Sequence, residues 1–176
     1  MKNLELRVAE KGDVEFALRS VQGAQGRLAR AGVSQWQNGY PNRERLEEDV
    51  RLGIGRVLMA DGQRVAYGVV TYDGERAYDD LRGGEWLTSG GAYATIHRLC
   101  VAEDVVGRGY GRAFMECAER EAATRVASIR VDTHPDNLVM QRLISSLGYR
   151  YCGVVEYESP RLAYELCLQA KCGEDF

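Results

Sequence analysis

The sequence predicts a single α/β domain built on a mixed β-sheet. Its 176 residues suit one substantial core and are too few for two comfortable ones. Apolar residues switch repeatedly between the period-2 spacing of strands and the 3.6-residue spacing of helices. The resulting elements run β-αα-β-β-β-α-β-α-β-β, with no repeat, low-complexity tract or linker between them, an order that requires both parallel and antiparallel pairing.

Each element has its own signal. Leu4-Glu5-Leu6-Arg7-Val8 alternates cleanly as a first strand. Asp13 is placed to cap a helix carrying Val14, Ala17, Leu18, Val21 and Leu28 at helical spacing, and Gly23 and Gly26 are expected to bend or divide it. Asn42 is a second N-cap, opening Arg43–Leu52, with Gly53 as its stop. Arg56–Ala60 and Arg64–Tyr72 form a hairpin, because Asp61-Gly62 between apolar runs is a strong turn signal. Asp73–Gly91 is glycine-rich and reads as a long loop, after which Ala94–Val101 resumes as a strand. Phe114, Cys117, Ala118 and Ala122 mark the buried face of the next helix. Ser128–Thr133 is a strand and Asp136–Leu147 a helix ended by Gly148; Arg150–Tyr157 and Arg161–Leu168 close the sheet. Residues 171–176 are expected to form a disordered tail.

Composition narrows the function classes. The chain is 45% apolar and 28% charged, ordinary for a soluble domain. A net charge of −3 argues against a nucleic-acid partner, since phosphate-backbone affinity needs a basic face. The five cysteines, Cys100, Cys117, Cys152, Cys167 and Cys172, are odd in number and lack CxxC spacing. They read as reduced thiols of a cytoplasmic protein rather than a disulfide scaffold. No apolar run approaches a membrane span, and the N-terminus has no signal-like h-region, so no membrane association is expected. No His/Cys cluster suggests a metal.

The chemistry is concentrated in Val101-Ala-Glu-Asp-Val-Val-Gly-Arg-Gly-Tyr-Gly-Arg112, which joins a strand to a helix. Gly107, Gly109 and Gly111 remove three side chains where the backbone turns, so several N–H groups can point at one anion beside the positive end of the helix dipole. Arg98, Arg108 and Arg112 place positive charge nearby in sequence, which suits a pyrophosphate. The turn lacks the Lys-Ser/Thr of a P-loop. Its spacing is GxGxG rather than GxGxxG, and it follows four strands instead of one, so a dinucleotide fold fits poorly. The plain alternative is a permissive strand–helix turn with no ligand.

Ile96-His-Arg-Leu-Cys-Val101, Gly107-Arg-Gly-Tyr-Gly-Arg112, Asp136-Asn137 and Leu147-Gly148-Tyr149 together resemble the GCN5-related N-acetyltransferases (GNAT). The resemblance is most specific between positions 94 and 149, and the order of elements extends it over nearly the whole chain. It implies a central sheet in which the parallel strands Ala94–Val101 and Ser128–Thr133 splay apart, with flanking helices and acetyl-CoA as co-substrate. It further implies that Leu99, Cys100 and Val101 bond the pantetheine arm. Val106, Gly107, Arg108, Gly109, Tyr110, Gly111 and Arg112 then hold the pyrophosphate, and Asn137 also bonds the cofactor. Val106 departs from the family pattern, which often has Gln or Arg there; the backbone donors are unaffected.

An acetyl acceptor that is a primary amine is mostly protonated at neutral pH, so its attack on a thioester needs a proton acceptor. His97, on the strand that should hold the thioester, is the first candidate, against the alternative of a half-buried strand histidine. Asp132 is the second, matching a position where some family members carry a carboxylate base, against that of a paired structural aspartate. His134 is the third, or it helps place Asn137 through the turn Asp132-Thr-His-Pro-Asp-Asn137. Many family members place a proton-donating tyrosine seven residues after Asn137; here that residue is Ile144. Cys100 lies three residues from His97, on the opposite strand face by simple alternation, so a Cys–His nucleophile pair is disfavoured.

The acceptor is expected to be a small-molecule or peptide amine. Trp36, Tyr40 and the acidic residues Glu75, Asp79, Asp80 and Glu85 are candidate contacts, because so long a connection as Asp73–Gly91 asks for a reason. The alternative for that loop is a solvated insertion or a homodimer contact, and Trp36 reads equally as a core anchor. A rival to the enzyme is a non-catalytic acyl-CoA-binding or sensing module of the same fold.

Overall fold

The computed structural model describes residues 3–168. Cys172 and the tail 171–176 lie outside the described residues. Seven strands and four helices alternate: β1 (Leu4–Val8), α1 (Val14–Arg30), α2 (Arg43–Arg51), β2 (Gly55–Ala60), β3 (Gln63–Thr71), β4 (Ala94–Val101), α3 (Tyr110–Ala123), β5 (Ser128–Thr133), α4 (Leu138–Ser146), β6 (Arg150–Glu156) and β7 (Pro160–Cys167). They form one mixed sheet in the order β1-β2-β3-β4-β5-β7-β6. β4 and β5 are parallel and pair at Ala94↔Ile129 and Thr95↔Arg130. The expected order of elements is therefore the observed one. The described residues divide into two compact units, one of residues 3–70 and 97–118, the other of residues 71–96 and 119–168.

In the first unit, β1 pairs antiparallel with β2 from Leu4↔Ala60 to Val8↔Arg56. Asp61 and Gly62 both have positive φ, 49° and 79°, as a two-residue type I′ turn requires, and the β2–β3 hairpin follows. α1 runs unbroken through Gly23 and Gly26, contrary to expectation. Each glycine costs about 1 kcal/mol in a helix interior, but Ala17, Val21 and Ala24 bury one face of α1 against Leu46, Val57, Tyr67 and Val69 and offset it. A Cβ at Gly23 would sit 2.6 Å from Oε2 of Glu103, the end of an exposed side chain that can swing aside, so this contact does not demand glycine.

Asp13 corrects a second expectation. It occupies the N-cap position of α1 but makes no side-chain cap bond. Its carboxylate instead accepts the Glu10 N–H at 2.8 Å, Arg7 at 2.7 and 3.0 Å, and Arg64 at 2.6 Å. Burial alone would raise its pKa; the Arg7, Glu10 and Arg64 hydrogen bonds outweigh that and hold the carboxyl well below the usual range. Asn42 does cap α2, its Oδ1 accepting the Arg45 N–H at 3.0 Å. Gly68 lets β3 and α3 approach closely, since a Cβ there would fall 2.6 Å from Phe114 Cζ. Phe114 is fully buried, which contributes about 1.5–3 kcal/mol.

In the second unit, β7 pairs with β5 from Ser128↔Cys167 to Thr133↔Leu162 and with β6 through a register shift at Tyr151/Gly153. The long connection before β4 is anchored at a few points, although most of its residues are exposed. It contains a 3-10 turn, Arg76–Asp80, and Arg82 exchanges two 2.8 Å backbone bonds with Val154. Tyr78 is buried against Val155 and Ala163, and the Trp86 Nε1–H donates to the Tyr78 carbonyl at 3.0 Å. The fully buried Glu165 accepts the N–H groups of Leu87 and Thr88 at 2.6 and 3.2 Å, and Nε of Arg130 at 3.1 Å. Arg130 is itself stacked on Trp86 and Tyr93, 4.3 and 4.1 Å from their ring centroids. α4 begins later than expected because Asn137 is its cap. No helix among the described residues is long and apolar enough to cross a membrane.

Candidate active site

The turn into α3 is built around two glycines with open space beside them. Gly107 and Gly109 have φ of 80° and 85°, conformations that L side chains rarely adopt. A short 3-10 turn, Glu103–Val105, precedes them, closed by the Val105 N–H on the Ala102 carbonyl at 3.1 Å. The Ala113 N–H bonds the Gly109 carbonyl at 3.1 Å and opens the helical ladder. α3 begins at Tyr110, so the N–H groups of Gly109 and Gly111 belong to a first turn in which no intrahelical carbonyl is available to them. Val106, Gly107, Arg108 and Gly109 are exposed and Tyr110 is buried, so the donors sit on an open surface anchored from below. The residues present therefore fit a pyrophosphate: open backbone donors at the positive end of a 14-residue helix.

The positive charge around this turn differs from expectation. Arg108 is exposed. Arg112 is also at the surface, 3.5 Å from Glu116 one turn on, an exposed pair worth little. Arg98 is not part of this charge. Its side chain is only 7% exposed, and Nε and Nη2 bond Asp49 on α2 at 2.9 and 2.7 Å while Nη1 bonds the Tyr40 hydroxyl at 2.8 Å. Asp49 also accepts the Tyr67 hydroxyl at 3.0 Å. Sequence reasoning missed this buried pair; an arginine inside the apolar run Ile96-His-Arg-Leu-Cys-Val101 is the signal that it needs a buried anion.

On β4, Leu99 and Val101 are half-buried and Cys100 is buried. Arg98 has φ 53°, so simple side-chain alternation does not carry from His97 to Cys100, and that argument against a Cys–His pair falls away. Burial settles the matter differently. It pushes the Cys100 thiol up to about 12, which leaves almost no nucleophilic thiolate at neutral pH. His97 is half-buried on the same strand.

The remaining candidates lie in the second unit. Asp132 Oδ2 accepts the Tyr78 hydroxyl at 2.7 Å and the Tyr157 hydroxyl at 3.4 Å. Burial raises both phenols, and the neighbouring Asp132 charge raises them further. Neither tyrosine was legible as a site residue, because they come from a loop and a strand end far from Asp132 in sequence. Nδ1 of buried His134 accepts the Asp136 N–H at 3.1 Å, and its carbonyl accepts the Asn137 N–H at 3.0 Å. Asn137 Oδ1 in turn accepts the Met140 N–H at 3.2 Å and caps α4. His134 thus builds the turn that places Asn137. Ile144 is fully buried.

The acceptor-side candidates are partly committed elsewhere. Trp36 packs against the core of the first unit, Glu75 caps the 3-10 turn through the Ala77 N–H at 3.3 Å, and Asp80 pairs with Arg82 at 2.7 Å. No group of three or more metal-ligand-type side chains occurs among the described residues.

Residues 29–149 match the family model for the acetyltransferase (GNAT) family. A GNAT-family acetyltransferase from Streptococcus agalactiae 2603 is 31% identical, with a TM-score of 0.88 over 93% of this chain and 95% of that one. The ribosomal-protein-S18-alanine N-acetyltransferase of Escherichia coli superposes at TM-score 0.64 with 16% identity, over 94% of each chain. AAC(6')-Ib in complex with ribostamycin and coenzyme A superposes at 0.72 with 16% identity, over 99% of this chain and 98% of that one. These last two show likeness of fold. A comparison with curated proteins finds no match.

Proposed function

Because the chain belongs to the GNAT acetyltransferase family, we propose that it moves an acetyl group from acetyl-CoA to a primary amine of a small molecule or peptide, by direct attack in a ternary complex. The observation that carries this reading is the exposed turn through Gly107 and Gly109, both at positive φ, running straight into the N-terminus of α3. Solved relatives of the same fold named for alanine N-acetylation, or held with ribostamycin and coenzyme A, are consistent with an amine acceptor and a CoA donor.

Bound acetyl-CoA supplies an activated thioester, whose thiolate is a tolerable leaving group at neutral pH. Val106–Arg112 bind its pyrophosphate through backbone N–H groups, with Arg108 adding charge. Leu99, Cys100 and Val101 offer the backbone of β4 to the pantetheine amides as a strand edge does to a peptide. The Leu99 or Cys100 N–H stabilises the developing oxyanion. Asn137 orients the cofactor from the start of α4. His97 accepts the proton of the attacking amine. Asp132 is the second candidate for that role, its Oδ2 oriented by Tyr78 and Tyr157. His134 is the third; its Nδ1 already accepts the Asp136 N–H, so proton exchange by this ring runs through Nε2. The buried cysteines Cys100, Cys117 and Cys152, none of them in a disulfide, suit a reducing cytosol.

An acceptor screen read out as free CoA tests the proposal: amines, amino acids, polyamines, aminoglycosides and peptide N-termini are offered with acetyl-CoA, and acceptor-dependent CoA release is expected. A second reading, a non-catalytic acyl-CoA sensor, draws on Ile144 standing in the core where many relatives have a proton donor. It expects thermal stabilisation by acetyl-CoA with no turnover on any acceptor.

A further inference from the structure

Arg98 is a non-glycine residue held in the left-handed region, φ 53°, in the middle of a strand. Such a residue stores strain and persists only where its surroundings over-determine it. Here they do. The guanidinium is bonded at Nε, Nη1 and Nη2, to Asp49 and to Tyr40. Asp49 is itself fully buried, bonded by the Tyr67 hydroxyl and 3.2 Å from Arg45 Nε.

A left-handed residue in a strand resets the alternation of side chains and backbone groups on either side of it. Immediately before Arg98 stands His97; immediately after it stand Leu99, Cys100 and Val101. The directions of the candidate base and of the donor-binding edge are therefore set by the same kink.

We propose that Asp49 is a positioning residue for the donor strand: by clamping the Arg98 side chain from α2, it holds the kink that aims His97 and the Leu99–Val101 edge. The inference rests on the reading that β4 receives acetyl-CoA. Asp49 touches neither substrate in this account and acts through Arg98. Tyr40, on the connection before α2, completes the clamp at Nη1.

The test is calorimetric titration of acetyl-CoA into the full chain. Asp49→Asn keeps the shape of the side chain but loses its charge, and should weaken donor binding about tenfold, the scale of strain that one left-handed residue stores. Adding Arg98→Gly should restore affinity to within about threefold of wild type, because glycine adopts the kink without a clamp. A merely structural role for Asp49, in which any loss of the stranded guanidinium restores the fold, predicts equal recovery when Arg98→Ala is added instead; holding the kink predicts recovery with glycine and not with alanine. Donor binding by Asp49→Asn equal to wild type, no recovery in the glycine double variant, or equal recovery in the alanine one overturns the proposal. Where Asp49→Asn does not fold, Arg98→Gly and Arg98→Ala are compared: both remove the guanidinium, and only the first tolerates the kink. Tighter binding by Arg98→Gly supports the proposal, and equal affinities overturn it. A wild-type chain that does not bind acetyl-CoA overturns the donor reading itself, and this inference with it, so the two failures appear in different arms.

Discussion

Asp49 on α2 accepts two hydrogen bonds from Arg98 on β4, at 2.9 and 2.7 Å, with both side chains withdrawn from water. A buried, bidentate pair of this kind need not add much net stability, because desolvating both ions costs nearly what their attraction returns. Removing one partner is another matter. Asp49→Ala leaves the guanidinium buried without its counter-charge and is expected to destabilise the chain by about 3–5 kcal/mol in urea unfolding. A loss below about 1 kcal/mol would show that water reaches Arg98 readily.

Gly109→Glu addresses the donor turn. At φ 85° the backbone is unsuited to a side chain, and a carboxylate there opposes an incoming phosphate. Acetyl-CoA affinity should fall by about tenfold or more in titration calorimetry. Unchanged affinity removes Val106–Arg112 as the pyrophosphate site.

His97→Gln separates a base from a packed strand histidine once an acceptor is known. Loss of a general base lowers turnover by about 10²–10⁴-fold and alters the pH–rate profile, while acetyl-CoA affinity stays close to wild type. A variant whose pH–rate profile matches wild type moves the role to Asp132 or His134.

Asp13 predicts part of the acid sensitivity of the fold. Its folded-state pKa lies below its unfolded value, so the stability it contributes is fully present above the unfolded pKa and disappears as pH falls toward the folded one. Thermal midpoints should therefore decline below about pH 5. Asp13→Asn is expected to be less stable at neutral pH and to show a shallower acid slope. Parallel wild-type and Asp13→Asn curves would refute the assignment.

Glu165 predicts the order of the long connection before β4. It gathers the Leu87 and Thr88 N–H groups and Arg130 around one fully buried carboxylate. Glu165→Ala strands both the backbone donors and the arginine, so amide exchange of residues 76–90 should accelerate by about tenfold or more relative to the β5–β7 ladder. Uniform protection across the two segments would show that the loop is held by other contacts.

How much of this was legible beforehand follows the range of the forces involved. β4 and β5 have the bounds their patterns predict, Asn42 caps α2, and Asp61-Gly62 makes the hairpin turn, because periodicity, caps and turns are decided within a few residues. The glycine turn at Val106–Arg112 belongs to the same class, and it carries the family. α1 continues through Gly23 and Gly26 against its local signal, because tertiary packing outweighs local propensity there.

The sequence by itself determined the element order, the family and the glycine turn before α3, since each depends on residues close together along the chain. Only the tertiary structure decided what the charged and aromatic side chains do. Arg98, expected beside the glycine turn, pairs instead with the buried Asp49, Asp132 accepts two tyrosine hydroxyls, and the 73–91 connection is bonded to Glu165. The physical reason is common to all three. A buried charge must find its partner wherever the fold brings one, and the partners here lie between 25 and 78 positions away.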